Sequence, residues 1–380
     1  MGENRRKVFH MVTISRSISL MKGQFDHLTK KGFDMGIVSS PGKELSDIKS
    51  LNKIEVPMER EISVIKDIKS LAQLIRLFRI EKPYILNTGT PKAGLLGALA
   101  SYITRVPNRV YTIRGLRLET TTGWKRKILW FSEKVTCTLS SKVICISPSL
   151  RDRAIELRLV DKSKTVIFAN GSSNGINVNN YPSPIHHKEK TLKLKKGLKI
   201  KETSFVLGFV GRLTKDKGVH ELIEAFIGLE RENVDVKLII LGNYASGDPI
   251  SDSIKEEIET NDNIIYLGFV DDPTPYYYLF DLLIFPTYRE GFGNVSIQSQ
   301  AAGTPVITTN ATGAVDTVVD GVTGFIIPIG RSNEIIEKVI YLKMNESERI
   351  RMGKEARSRA LKDYKSEVIW NEMSDFYKSL

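Results

Sequence analysis

Residues 205–218 read FVLGFVGRLTKDKG. The six positions from Phe205 to Val210 are apolar or glycine, the length and composition of a strand buried on both faces. The run stops at Gly211-Arg212. Lys217 follows five residues on, just before Gly218 opens a helical pattern. Such a unit belongs to an open parallel sheet, where ligands sit at the carboxyl ends of strands. An arginine grips two oxygens of a diphosphate in a fork, and a lysine adds a point charge. Gly211 and Gly218 leave room for a ligand against the backbone. Taken alone, the segment also reads as a basic turn capping a strand.

Residues 288–305, YREGFGNVSIQSQAAGTP, repeat the theme after an apolar run at 282–286. Glu290 lies in a glycine-rich turn, and a helix is predicted to begin near Asn294. Free N–H groups at a helix start form an anion site. Gly291 and Gly293 keep side chains out of the way. Gln298, eight residues after Glu290, is expected to face the same pocket. An ordinary strand–turn–helix is the plainer alternative. Residues 313–328 look like a turn feeding a further strand and are weak evidence by themselves.

Outward from these segments the chain alternates strand and helix patterns. Strands are predicted at 8–12, 35–39, 84–87, 109–113, 143–147 and 165–169, and then at 205–210, 236–241, 264–267, 282–286, 305–308 and 325–328. Helical patterns lie between most of them, which implies parallel sheets with right-handed crossovers. Residues 181–201, rich in proline and lysine, break the alternation and read as an interdomain connection and domain edge. Two α/β domains follow: 1–180 and 181–363, with a C-terminal helix at 364–380 that is expected to cross back to the first domain. At 380 residues the chain is long for one core and ample for two.

Composition narrows the function. The chain is 41% hydrophobic and 26% charged, as in globular proteins. Its two cysteines, Cys137 and Cys145, have no metal-ligand spacing, so neither a zinc site nor a disulfide framework is expected, and a reducing cytoplasmic setting suits it. His186 and His187 read as a solvated loop. No apolar run is long enough to span a membrane, and the start of the chain reads as a first strand, not a signal peptide. Residues 1–180 carry 31 Lys and Arg against 15 Asp and Glu, a net of +16, whereas residues 181–380 carry 25 against 29, a net of −4. The basic half favours an anionic partner, although a soluble basic surface is the simpler alternative. No Walker A loop, GxGxxG or HExxH occurs, and no nucleic-acid module is recognisable.

The ordered set VGRLTKDKG, LGFV (267–270), PTYREGFGN with AAGTPVI, and DGVTGF resembles the family-four retaining glycosyltransferases of the GT-B fold. In the first half TPKAGLLG (90–97), VYTIRGLR (110–117), KVICISPSLRDRAI (142–155) and NGSSNGI (170–176) are similar to the subgroup that builds bacterial surface polysaccharides. The resemblance covers nearly the whole chain. It implies two Rossmann-like domains facing each other across a cleft, with the donor on the second.

By that resemblance Arg212 and Lys217 hold the donor diphosphate. Glu290, the first glutamate of an E-x7-E motif, sits by the donor sugar. Gly211 and the turn Gly291, Phe292, Gly293, Asn294 and Val295 contact sugar and phosphate, and Leu267, Phe269 and Val270 lie beside the base. No metal or other cofactor is expected, because cations and a helix start stabilise the leaving diphosphate. Retention is implied by the family alone. The sequence departs from the pattern in five places. Gln298 replaces the second glutamate, which meets the ribose; an amide still accepts from a hydroxyl but loses about 1 kcal/mol of charge assistance. Arg114, and likewise Asn87 and Gly89, stand where histidines are usual. Residues 17–24 lack a double-glycine loop.

The acceptor falls to the first domain. Its candidate residues are Lys22 and Gly23 in the first turn, Thr90 and Lys92 at a helix start, and Arg114 and Arg117 after a strand. The stretch WKRKILWF at 124–131 mixes basic and aromatic residues at helical spacing, as at a membrane interface. The competing reading makes Ile128, Leu129 and Phe131 core and Lys125 to Lys127 a solvated face. The expectation is therefore a peripheral enzyme on the inner face of the cell membrane. It moves a sugar from a nucleotide-sugar, UDP-linked by family precedent, onto a lipid-linked oligosaccharide. The rivals are a soluble transferase with a small acceptor and a catalytically silent sugar-nucleotide-binding scaffold.

Overall fold

A computed structural model describes residues 5–49, 51–59, 61 and 63–380. The chain forms two compact units: Met1–Gly175 with Ser366–Leu380, and Ile176–Lys365.

The first unit is built on seven parallel strands: β1 (Lys7–Met11), β2 (Asp34–Ser39), β3 (Asn52–Glu55), β4 (Ile85–Thr88), β5 (Asn108–Ile113), β6 (Lys142–Cys145) and β7 (Thr165–Val166). Their order is β3-β2-β1-β4-β5-β6-β7. β4 (ILNT) is buried at every position, as expected of a central strand covered on both faces. β3 was not foreseen. Its sequence NKIE has one half-buried and three exposed residues, so an edge strand held by backbone pairing to β2 left no apolar signature. One face of the sheet packs Phe9, Met11 and Leu86 against Leu74, Phe78 and Leu96 of the helices Val64–Glu81 and Pro91–Ile103. The other packs Val8 and Val110 against Phe25, Leu28, Ile369, Met373 and Tyr377. The last three belong to the helix Ser366–Ser379, the final segment of this unit.

The second unit has six parallel strands: β8 (Phe205–Val210), β9 (Val236–Leu241), β10 (Ile264–Tyr266), β11 (Leu282–Phe285), β12 (Val306–Thr309) and β13 (Gly324–Ile327). Their order is β10-β9-β8-β11-β12-β13. The core joins Phe205, Leu207 and Phe209 to Leu222, Phe226, Leu238, Ile284 and Val339. The strand order reverses between β8 and β11, which pair through Leu207 and Leu282. Loops leaving the two strands at this switch point diverge and leave a crevice. Gly218 shapes it: at φ 70° it begins the helix Val219–Arg231, and a Cβ there would collide with the Pro286 carbonyl.

Residues 181–201 are more ordered than their composition implies. A 3-10 turn at Pro184–His187 leads into a helix at Lys188–Gly197. That helix buries no residue fully, so no apolar stripe marks it.

Candidate active site

The loops after β8 and β11 carry the basic pair and Glu290, and the fold brings them together. The Lys217 ammonium donates to the Glu290 carboxylate and, at 3.4 Å, to the Arg289 carbonyl. One step back, the buried Asp216 accepts from the Thr214 hydroxyl at 2.5 Å and from Arg289 Nη2 at 2.8 Å. Its own carbonyl accepts from the Tyr288 N–H and the Thr287 hydroxyl. Burial works against the Asp216 charge. The Thr214 bond and the cations Lys217, Arg289 and Arg212 outweigh it and hold the carboxyl below its usual range. Asp216 is thus favoured as an anion, and its bonds to Thr214 and Arg289 tie the two loops. Sequence reading missed it and Arg289, because an acid between two lysines looks like any solvated turn. Arg212 is exposed and makes no ion pair among the described residues. The Gly211 N–H donates to the Leu241 carbonyl at 2.9 Å.

Beneath Glu290 lies the segment that was weak in sequence. The Glu290 N–H donates to the Thr312 carbonyl at 2.9 Å, and Gly313 packs so closely that a Cβ would sit 2.6 Å from the Glu290 carbonyl oxygen. Gly291 is buried. Gly293, at φ 92°, turns the chain into the helix Asn294–Ala302. The helix begins directly after the turn that carries Glu290, and its first N–H groups and the Lys217 ammonium share one electrostatic sign. Phe292 differs from expectation. Its side chain is buried against the Tyr364 ring, so only its backbone is available to a ligand. Val295 is half-buried.

Gln298 lies on the second turn of this helix. Its Oε1 accepts from the Tyr277 hydroxyl at 3.0 Å. Leu267 and Val270 are half-buried. Phe269 is 57% exposed, and its N–H donates to Asn243 Oδ1 at 3.0 Å. No group of three or more His, Cys, Asp or Glu side chains among the described residues is arranged to hold a metal ion.

The first unit sorts its candidates. Lys92 is committed elsewhere: its ammonium pairs with both oxygens of Asp67 at 2.7 and 3.0 Å. Thr90 precedes the helix Pro91–Ile103, and its hydroxyl bonds the Thr13 N–H and hydroxyl. Lys22 and Arg117 are exposed. Gly23 lies against Trp370, where a Cβ would fall 2.7 Å from the ring. Arg114 donates to the Ser173 hydroxyl, while its Nε is buried with no partner among the described residues. Burial lowers this guanidinium to about 10. Asn87 donates to the Tyr377 hydroxyl at 2.6 Å and accepts from Thr112. The same tyrosine oxygen meets His10 Nε2 at 2.9 Å. Neither His10 nor Tyr377 was singled out from sequence. They lie 367 positions apart and meet only through the last helix.

Two Rossmann-like units, the second with Arg212 and Lys217 on the loop after β8 at its switch point, have the architecture of the GT-B fold. Residues 26–171 match the model of the glycosyl transferase 4-like domain, and residues 190–359 match that of glycosyl transferases group 1. The capsular polysaccharide biosynthesis glycosyltransferase CapM of Staphylococcus aureus is 42% identical over 98% of this chain and 97% of its own. The UDP-Gal:alpha-D-GlcNAc-diphosphoundecaprenol alpha-1,3-galactosyltransferase of Escherichia coli is 25% identical over 93% of this chain and 91% of its own. Among solved structures, Anabaena HepE in complex with UDP-glucose superposes with a TM-score of 0.79, covering 98% of this chain and all of its own at 19% identity. The chain belongs to the group 1 glycosyl transferase family.

Proposed function

We propose that this enzyme moves a hexose or N-acetylhexosamine from a UDP-sugar to a lipid-linked oligosaccharide during capsule, O-antigen or exopolysaccharide synthesis, with retention at the anomeric carbon. The observation that carries the reading is the convergence of Lys217, Glu290 and the start of the helix Asn294–Ala302 at one switch point. Arg212 and Lys217 grip the diphosphate, and the helix start adds N–H donors. As the bond from the anomeric carbon to the diphosphate breaks, negative charge grows on the leaving oxygen, and these groups stabilise it. The acceptor hydroxyl forms the new bond on the face the diphosphate leaves, and its proton passes to the departing phosphate oxygen. Glu290 and the backbone of Gly291 to Asn294 orient the sugar. Gln298 meets the ribose, and Leu267 and Val270 lie beside the base. Fixed cations do here what a bound metal does elsewhere, so turnover is expected to persist in EDTA.

The acceptor assignment draws on the relatives: one acts in capsular polysaccharide synthesis and another is named for a diphosphoundecaprenol-linked sugar. A lipid-linked acceptor requires approach to a membrane. No helix among the described residues is long and apolar enough to cross one. The helix Gly123–Leu139 instead exposes Trp124 at 67%, Ile128 and Phe131 beside Lys125 and Lys127. The reading of Ile128 and Phe131 as core is thereby corrected: the Gly123–Leu139 helix packs inward through Glu133, Thr136 and Cys137 instead. Val64, Ile65 and Ile68 are exposed at the start of Val64–Glu81, and both helices follow parallel strands, so their starts share one end of the unit. A basic, aromatic surface of this kind suits the headgroup region of anionic lipids.

The test is calorimetric binding of UDP, GDP, ADP and CMP with EDTA present. Selective binding of UDP without metal is expected. Absence of binding by all four would turn the reading towards a silent scaffold.

A further inference from the structure

Tyr277 is completely buried, yet it carries a hydroxyl that must be satisfied. Its backbone is pinned from the far end of the helix that bears Gln298: the Thr304 hydroxyl donates to the Tyr277 carbonyl at 2.6 Å and to the Phe280 carbonyl at 3.2 Å. Phe280 also packs edge-on against the tyrosine ring. The ring therefore has one place to be. Its hydroxyl meets Oε1 of Gln298 at 3.0 Å, its one hydrogen-bond partner among the described residues.

This contact decides which way the amide faces. If Gln298 turned its nitrogen to the tyrosine, the phenolic hydrogen would be buried without an acceptor, at the full cost of desolvation. With the carbonyl towards Tyr277, the tyrosine is satisfied. The Gln298 Nε2 then has no partner among the described residues and is not sealed from solvent. A carboxylate here would offer a ligand only acceptors. The oriented amide turns its donors towards the ligand.

We infer that Tyr277 is a positioning residue that holds the Gln298 amide with its nitrogen towards the ligand, so that this subsite recognises a lone pair on the ribose of the nucleoside diphosphate. The inference rests on the assignment of Gln298 to the ribose. The ribose hydroxyl is read as an acceptor, and its own hydrogen is left to water or another group. A ribose whose hydroxyl is replaced by fluorine keeps a weak acceptor but loses the donor. Such a ligand separates the two polarities at position 298.

The experiment is calorimetry of UDP and its 2′-fluoro and 3′-fluoro analogues with wild type, Tyr277→Phe, Gln298→Ala, Gln298→Glu and the double variant Tyr277→Phe/Gln298→Ala. Gln298→Ala is expected to weaken UDP about fivefold. Tyr277→Phe is expected to weaken it about threefold in the wild-type background and not at all once Gln298 is gone. Gln298→Glu is expected to tighten UDP while losing more affinity than wild type on fluorination at the recognised position. Equal losses from Tyr277→Phe in both backgrounds would show that the tyrosine acts through the fold and would overturn the inference. An unchanged UDP affinity in Gln298→Ala would instead remove the ribose assignment itself, and the inference with it. Wild type and Gln298→Glu responding alike to fluorination would overturn the donor polarity alone.

Discussion

Lys217 and Glu290 form an ion pair that joins the loop after β8 to the loop after β11, 73 positions further on. The two side chains are 13% and 21% exposed, so solvent screens the pair less than it would a surface salt bridge. Under the proposed function, the pair holds the lysine ready with a partner that the donor diphosphate replaces, which would release the Glu290 carboxylate towards the sugar.

Replacing Lys217 by alanine is expected to slow transfer at least about tenfold, by removing charge that acts on the leaving group. The Asp216–Arg289 contact survives in this variant and keeps the loops in place. Initial rates with UDP-sugar, alongside a thermal melt, check this. Wild-type turnover in a folded variant would remove Lys217 from the diphosphate site.

Trp124, Ile128 and Phe131 are exposed, so changing all three to glutamate is expected to leave the melting temperature within a few degrees. Co-sedimentation with vesicles containing an anionic phospholipid is expected to fall several-fold, since both apolar burial and charge attraction are lost. Retained binding would place the membrane surface elsewhere on the molecule.

Tyr377→Phe deletes the hydroxyl shared by Asn87 and His10 in the first unit. The Asn87 amide is then buried without its partner. A loss of about 1–3 kcal/mol in urea unfolding is expected. An unchanged midpoint would mean that water or a rearranged His10 fills the gap.

His10 gives a pH dependence. Burial, reinforced by Arg114, lowers it from 6.5 to about 3. Between these values the unfolded chain binds a proton that the folded chain does not. The contribution is therefore fully present above pH 6.5 and drains away as pH falls towards 3, at up to about 1.4 kcal/mol per pH unit. Glu133 acts in the opposite sense. Burial raises it to about 7 against its Tyr111 bond, so its contribution is full below 4.5 and lost as pH rises through 7. Comparing urea midpoints of wild type and His10→Gln at pH 7.5 and 5 isolates the histidine. Wild type is expected to lose more on acidification, and equal losses would count against a buried neutral His10.

Much of this protein could be read from its residues in order. Strands buried on both faces, such as 205–210 and 282–285, announce themselves as unbroken apolar runs. The turns that follow them carry Arg212, Lys217 and Glu290 in fixed order. β3 and the helix Lys188–Gly197 could not be read, because one is an edge strand and the other buries nothing fully. Neither needs apolar residues to form, so neither left a periodicity. Asp216, Arg289 and Tyr277 escaped for a different reason. Their chemistry depends on partners brought near by sheet order, and nothing in the local spelling of KDK or PYYYLF marks those partners.

The division between the two kinds of information follows from range. Alternation, strand ends and the residues that terminate them are local properties, settled by side chains a few positions apart, and they determined the α/β class, the site-bearing turns and the family resemblance. Which candidate is free to act was decided by tertiary structure. Lys92 is held by Asp67, Phe292 is buried under Tyr364, Gln298 is turned by Tyr277, and the last helix inserts Tyr377 beside His10. Each is a pairing of groups far apart in the chain, and a buried polar atom is satisfied by whatever the fold places next to it.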